Sequence, residues 1–214
     1  IVSCLAAARE NARQIRDRIT TEMWEQLNEL HWQLQASSFW EQPLQEVLRD
    51  IRRGCELFYG VTDATQSRDQ AWEFGLLGRW MERADKTSRL LDANWLLSEA
   101  PHEGTTASLS SPVLEELHWT GVLRCLGGYQ MYRQHAVAPI SATSVSAYLL
   151  LDARFPRSVR HCITAINGCL RGLLEDPRRR EQLQHLDQLL DRLSDSGTTR
   201  RRLYRLGADL PERA

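Results

Sequence analysis

The chain has no apolar run near the ~20 residues that a membrane-crossing helix needs, so no transmembrane span is expected. It also lacks an excess of charge: 27 Lys and Arg against 28 Asp and Glu leave −1, and no global field favours nucleic acid or an anionic membrane. Two local basic runs, Arg178-Arg179-Arg180 and Arg200-Arg201-Arg202, have acids close by and read as solvated helix-end charge. The five cysteines (Cys4, Cys55, Cys125, Cys162, Cys169) are odd in number, scattered, and never spaced Cys-x-x-Cys. That excludes a zinc ribbon and a dithiol redox motif, and makes a reducing cytoplasm the simpler context. Ile1-Val2-Ser3-Cys4 matches a lipoprotein cleavage pattern, but no basic or apolar region precedes it, and the residues after it read as helix. No phosphate-binding glycine loop is present; Gly127-Gly128 reads as part of a helix-like stretch and no Lys-Ser/Thr follows. Nor does any Ser or Cys have a His at a diagnostic spacing, since Cys162 beside His161 on a helix points away from it. No catalytic residue is nominated, and no cofactor is expected.

No segment alternates apolar and polar residues as a strand does, and nearly everything that remains reads as helix. Ile1, Leu5, Ala8, Ala12, Ile15, Ile19, Met23, Leu27, Leu30 and Leu34 form a stripe at steps of three and four, which predicts one unbroken helix to the Ala36-Ser37-Ser38 break. A second helix is predicted from about Pro43 to Phe58 or Tyr59, stopping at Gly60, and a third from Arg68 or Asp69 to Ser98. Residues 101–111, polar and small, read as a linker. Ser111-Pro112 with Glu115 opens a fourth helix that reaches about Tyr132. Pro139-Ile140-Ser141 opens a shorter one to Leu151-Asp152, another covers 157–174, and Pro177 introduces a last helix before a polar, frayed tail. Val159-Arg160-His161-Cys162-Ile163-Thr164-Ala165 echoes Ile1-Val2-Ser3-Cys4-Leu5-Ala6-Ala7. The expectation is an all-α, antiparallel helical bundle of two related repeats, the first incomplete because the chain begins inside it. Residues 1–100 would hold the remainder of the first repeat plus the central charged helix, 101–111 the linker, 112–195 the second repeat, and 196–214 the tail.

The stretch Leu77-Gly78-Arg79-Trp80-Met81-Glu82-Arg83-Ala84-Asp85 sets two arginines and two acids among apolar residues. Leu77, Trp80, Ala84, Leu91 and Trp95 line one side of the helix, and Trp72, Leu76, Leu90 and Leu97 a second. A helix apolar on two sides is expected to be central and largely buried, so that Arg79, Glu82, Arg83 and Asp85 need partners. Arg9 and Arg16 fall close to the Leu5, Met23 and Leu27 stripe, with Glu22 at its edge. Together with Arg68 and Asp69, these residues are the candidate ligand-binding set. The expected chemistry is a buried Arg/Glu cluster whose guanidiniums bind a carboxylate or phosphate bidentately. The alternative is an ionic network that only registers the helices.

Ala8-Arg9-Glu10-Asn11-Ala12-Arg13 followed by Glu22-Met23-Trp24-Glu25-Gln26-Leu27-Asn28 resembles the bacterial alpha-E domain. So do Asp63-Ala64-Thr65 with Arg68-Asp69-Gln70-Ala71-Trp72, the charged stretch continued through Lys86-Thr87-Ser88-Arg89-Leu90-Leu91-Asp92, and Tyr148-Leu149-Leu150-Leu151-Asp152 with Phe155-Pro156-Arg157-Ser158. The resemblance covers roughly residues 1–175. It implies an all-helical domain of two related halves, each with a Gly-Arg-x-x-Glu-Arg-Ala element, of which this chain holds the second. It further implies a circularly permuted ATP-grasp ligase as partner, with a transglutaminase-like protein as another. The implied role is that of an accessory domain beside ATP-dependent peptide modification, without contact to nucleic acid or membrane.

Two other readings belong to different classes. A di-metal carboxylate bundle needs paired Glu-x-x-His motifs, and Glu115-Glu116-Leu117-His118 supplies one, whereas Glu99-Ala100-Pro101-His102 is broken by proline. A pure interaction module is favoured by seven tryptophans, of which core packing should claim most and about two should remain as surface anchors.

Overall fold

A computed structural model describes residues 1–99, 112–135 and 139–174. The linker at 101–111, both basic runs, the helix after Pro177 and the polar tail lie outside the described residues. The described residues form helices and no strand, so the fold is all-α as expected. The helices are α1 (Val2–Gln14), α2 (Thr21–Gln35), α3 (Ser37–Trp40), α4 (Leu44–Thr65), α5 (Gln70–Glu99), α6 (Pro112–Cys125), α7 (Tyr129–His135), α8 (Ala142–Leu151) and α9 (Val159–Leu174). Among the described residues no helix is long and apolar enough to cross a membrane. The chain divides into two compact units, Ile1–Trp72 and Glu73–Ala214.

In the first unit the expected single helix over 1–34 is two. α1 ends at Gln14, a turn follows in which Arg18 N–H donates to the Ile15 carbonyl at 2.8 Å, and α2 begins after Thr20. Thr20 caps α2, its hydroxyl accepting from the Met23 N–H at 3.2 Å, with Glu22 in the first turn where an acid suits the helix dipole. The turn is held from α4: Gln66 Nε2 donates to the Arg18 carbonyl at 3.0 Å, and the Thr65 and Thr20 hydroxyls lie 2.8 Å apart. α4 also runs five residues past Gly60, to Thr65. One helical glycine costs only about 1 kcal/mol, which the packing of a long helix offsets. The core joins Leu34, Phe39, Val47 and Ile51. Helices α2 and α4 approach closely at Gly54, where a Cβ would sit 2.7 Å from Leu30 Cδ1. Trp40 Nε1 donates to the Leu34 carbonyl at 2.9 Å and closes the end of α2.

In the second unit, Leu91 of α5 joins Trp119, Val122, Leu123, Leu126, Tyr132, Val145, Leu149 and Phe155 in one core. Nearer its start, α5 lays Leu77 and Trp80 on Ile166, Leu170 and Leu173 of α9. The expected fourth helix is broken at Gly127, whose φ of 66° is left-handed. Gly128 N–H donates to the Leu123 carbonyl at 2.8 Å and Gly127 N–H to Arg124 at 3.0 Å, the paired bonds of a Schellman ending. α8 opens on a capping box between Ser141 and Ser144, as the sequence suggested. α5 itself is not largely buried. Thr87 and Leu91 are its fully buried side chains among those described, while Phe74 and Met81 are 49% and 56% exposed. It packs through long side chains on one face, and its second apolar side is half-open.

Candidate functional site

The candidate residues fall into separate places rather than one buried network. In the first unit, Arg9 on α1 and Arg16 in the α1–α2 turn both lie half-buried against Trp24, with guanidinium carbons 5.3 and 5.8 Å from its ring centre. Arg9 also reaches within 5.9 Å of the Trp32 ring, and its Nε donates to Asn28 Oδ1 at 2.5 Å. Arg16 makes only long bonds, at 3.4 Å, to the Ile19 carbonyl and the Thr21 hydroxyl. Neither arginine forms an ion pair with a described residue. Neighbouring acids are committed elsewhere: Glu10 pairs with Arg13 at 2.8 Å, and Asp17 with Arg18 at 3.1 Å. The Arg13 hydrogen bond holds the Glu10 carboxyl down to about 2. Glu22 is exposed on the first turn of α2.

Arg68 and Asp69 build the start of α5. Arg68 stacks 3.6 Å above the Trp72 ring and donates to the Asp63 carbonyl at 2.8 Å, while Asp69 accepts from the Trp72 N–H at 3.2 Å. In the second unit Arg79 and Arg83 are half-buried and Glu82 and Asp85 exposed. Arg83 sits 4.9 Å over the Trp80 ring, and His161 of α9 meets the same ring edge-on at 5.3 Å. Asp85 pairs with Arg89 at 2.8 Å and lies 3.8 Å from Lys86, so its charge is satisfied along its own helix. The expected buried acid–base cluster is therefore absent among the described residues of this helix, because the carboxylates point to water and the arginines lie on indoles.

The motifs of the closing segment serve the α8–α9 turn. Asp152 Oδ1 accepts from the Arg154 and Phe155 N–H groups, each at 2.7 Å. The buried Ser158 hydroxyl donates to the Asp152 carbonyl and accepts from the His161 N–H. From α5, the buried Thr87 hydroxyl donates to the Arg157 carbonyl at 2.8 Å. Two stretches far apart in sequence thus meet as one backbone-fixing arrangement. The nearby cavity, lined by Met131, His135, Tyr148, Asp152 and Arg154, is about 80 Å³, well below the ~300 Å³ of small-molecule pockets. Burial and the Asp152 charge push the Tyr148 phenol up to about 12.

Glu115 does not present a metal ligand: its Oε1 accepts from the Ala142 N–H at 2.8 Å and caps α8. No three metal-ligating side chains come together among the described residues. The thiols are unlike one another. Cys4 and Cys125 are exposed, whereas Cys162 and Cys169 are buried. Burial, reinforced by the Glu73 carboxylate that also lies over Gly172, pushes the Cys169 thiol up to about 11. At pH 8 an aromatic disulfide reagent should therefore modify Cys4 and Cys125 promptly, and Cys162 and Cys169 only after denaturation; prompt reaction of all of them would contradict this packing. A raised thiol pKa means that the folded state holds its proton more tightly. The Cys169 contribution is then complete below the ordinary value of 9.0 and is lost as pH rises toward 11.

Sequence reasoning missed Asn28 and Trp32 as members of the Arg9 site, although Trp24, Asn28 and Trp32 recur at four-residue steps on α2. That spacing was the available signal. No curated protein and no solved structure matches the chain. A family model described as "a predicted alpha-helical domain with a conserved ER motif" matches residues 1–210. Glu-Arg occurs at Glu82-Arg83, on α5, and at Glu212-Arg213, outside the described residues. With that match across nearly its whole length, the chain belongs to the Alpha-E family.

Proposed function

We propose that this chain is an accessory domain of a bacterial ATP-dependent amide-ligase system, and that its arginines hold an anionic group of a ligand or of the partner ligase. The observation that carries the reading is the pair Arg9 and Arg16, half-buried on Trp24 with no carboxylate partner among the described residues. A guanidinium so placed has lost part of its water and retains donors for an incoming oxyanion. The partner, a circularly permuted ATP-grasp ligase, is inferred from the family resemblance, as are the cytoplasmic setting and a transglutaminase-like second partner. The alternative of a pure interaction module draws support from Trp32 and Trp40, the two exposed tryptophans among the seven.

Capture of the purified ligase by the immobilised chain tests the proposal. The parent and an Arg79→Ala/Arg83→Ala variant should retain the ligase. Arg9→Ala/Arg16→Ala should weaken capture at least ~10-fold while the far-ultraviolet helical signal is unchanged, as expected for loss of desolvated charge pairs. Equal capture by all three variants, or none by the parent, would sink it.

A further inference from the structure

We infer that the Arg9 clasp receives a single carboxylate of a protein partner, presented beside an apolar side chain. The inference rests on the anionic-ligand reading above and narrows it to one chemistry. Trp24, Asn28 and Trp32 lie one above another along α2, since residues four apart share a helix face. Arg9 crosses this row from α1, its guanidinium near both indoles and its Nε donating to Asn28. With Nε occupied, the Nη1/Nη2 edge remains, two parallel N–H groups matched to the two oxygens of a carboxylate. The guanidinium is held before any ligand arrives, so little side-chain freedom is lost on binding.

The surroundings choose among anions. Trp32 is 62% exposed, which sets an apolar wall beside the fork. A ligand with apolar surface next to its charge covers that wall; inorganic phosphate and a nucleic-acid backbone do not. The same helix exposes Glu22, Glu25 and Glu29, which repel a polyanion along its length but leave room for one carboxylate at the fork. Tryptophan and arginine together are the side chains most often found to anchor protein–protein contacts. The partner is thus a peptide segment with a side-chain or terminal carboxylate flanked by an aliphatic or aromatic residue.

The experiment follows the indole N–H resonances of Trp24 and Trp32 in the ¹⁵N-labelled full chain, titrated with N-acetylphenylalanine, its amide and inorganic phosphate. The carboxylate should shift both resonances saturably, the amide should leave them in place, and phosphate should require at least ~10-fold higher concentration. Arg9→Lys, which keeps the charge but not the planar fork, should weaken the carboxylate response about 10-fold. Trp32→Ala, at an exposed position, should weaken it with the helical signal intact. An equal response to the amide, an equal response to phosphate, or undiminished binding by Arg9→Lys overturns the inference. The ligase role is read separately. Capture of the ligase without any carboxylate response removes the clasp and leaves that role standing; a carboxylate response without capture does the reverse.

Discussion

Replacing Trp119 with alanine should destabilise the second unit by about 3–5 kcal/mol, the usual cost of emptying an aromatic site in a core. Trp119 is 0% exposed and sits among Leu91, Val122, Leu123, Val145 and Leu149, with Trp95 and His118 beside its ring. A domain this size has only about 5–15 kcal/mol of net stability, so the loss should be visible as a large fall in the denaturation midpoint. Its indole N–H is buried without a hydrogen-bond acceptor. Trp119→Phe removes that unsatisfied donor along with part of the volume, and should therefore cost much less than the alanine variant. Urea unfolding followed by circular dichroism checks both. An alanine variant within ~1 kcal/mol of the parent would place Trp119 outside the core, against the range for buried aromatics.

The second large effect is expected at the α8–α9 turn. Ser158→Ala leaves the Asp152 carbonyl and the His161 N–H without the hydroxyl that serves both. Ser158 is 0% exposed, so water cannot readily replace it, and the loss should reach about 1–3 kcal/mol. Thr87→Val keeps the shape of a buried side chain while orphaning the Arg157 carbonyl, with a similar expected loss. Because both residues fix the same few backbone groups, the double variant should depart from additivity by roughly 0.5–3 kcal/mol. A double-mutant cycle measures this directly. Strict additivity would mean that α5 and the turn are stabilised independently, and that the meeting of the two family-like stretches has no energetic content.

Much of the architecture was legible in the sequence where local chemistry and packing agree. Asp69 and Ser141 mark helix starts because their side chains cap the next turn, and the bounds of α5, α8 and α9 follow within a residue or two. The break at Ile15–Thr20 was hidden because Ile15 and Ile19 keep the apolar period running through it. The signal lay in Thr20, a good cap followed by Glu22. Gly60 and Gly127 show why a glycine alone does not decide. Gly60 lies within a helix that passes over it, while Gly127 sits where two backbone bonds close an end.

The candidate site was partly legible for the same reason. A helical wheel places Arg9 and Arg16 near the apolar stripe, and both are half-buried. It does not reveal what faces them, and here indoles and an amide took the place expected for carboxylates. On α5 the wheel overstated burial, because two apolar sides require two neighbours, and Phe74 and Met81 have none covering them among the described residues.

The turn after α6 depends on handedness more than on side-chain chemistry. Gly127 occupies a backbone region that costs an L-residue about 1–2 kcal/mol, yet no atom stands within 4 Å of where a Cβ would be. The position therefore discriminates between mirror images of one amino acid while remaining indifferent to its bulk. A D-alanine placed there by chemical ligation would adopt the required backbone natively and reduce the freedom of the unfolded chain. The same methyl group in its L form would oppose the turn.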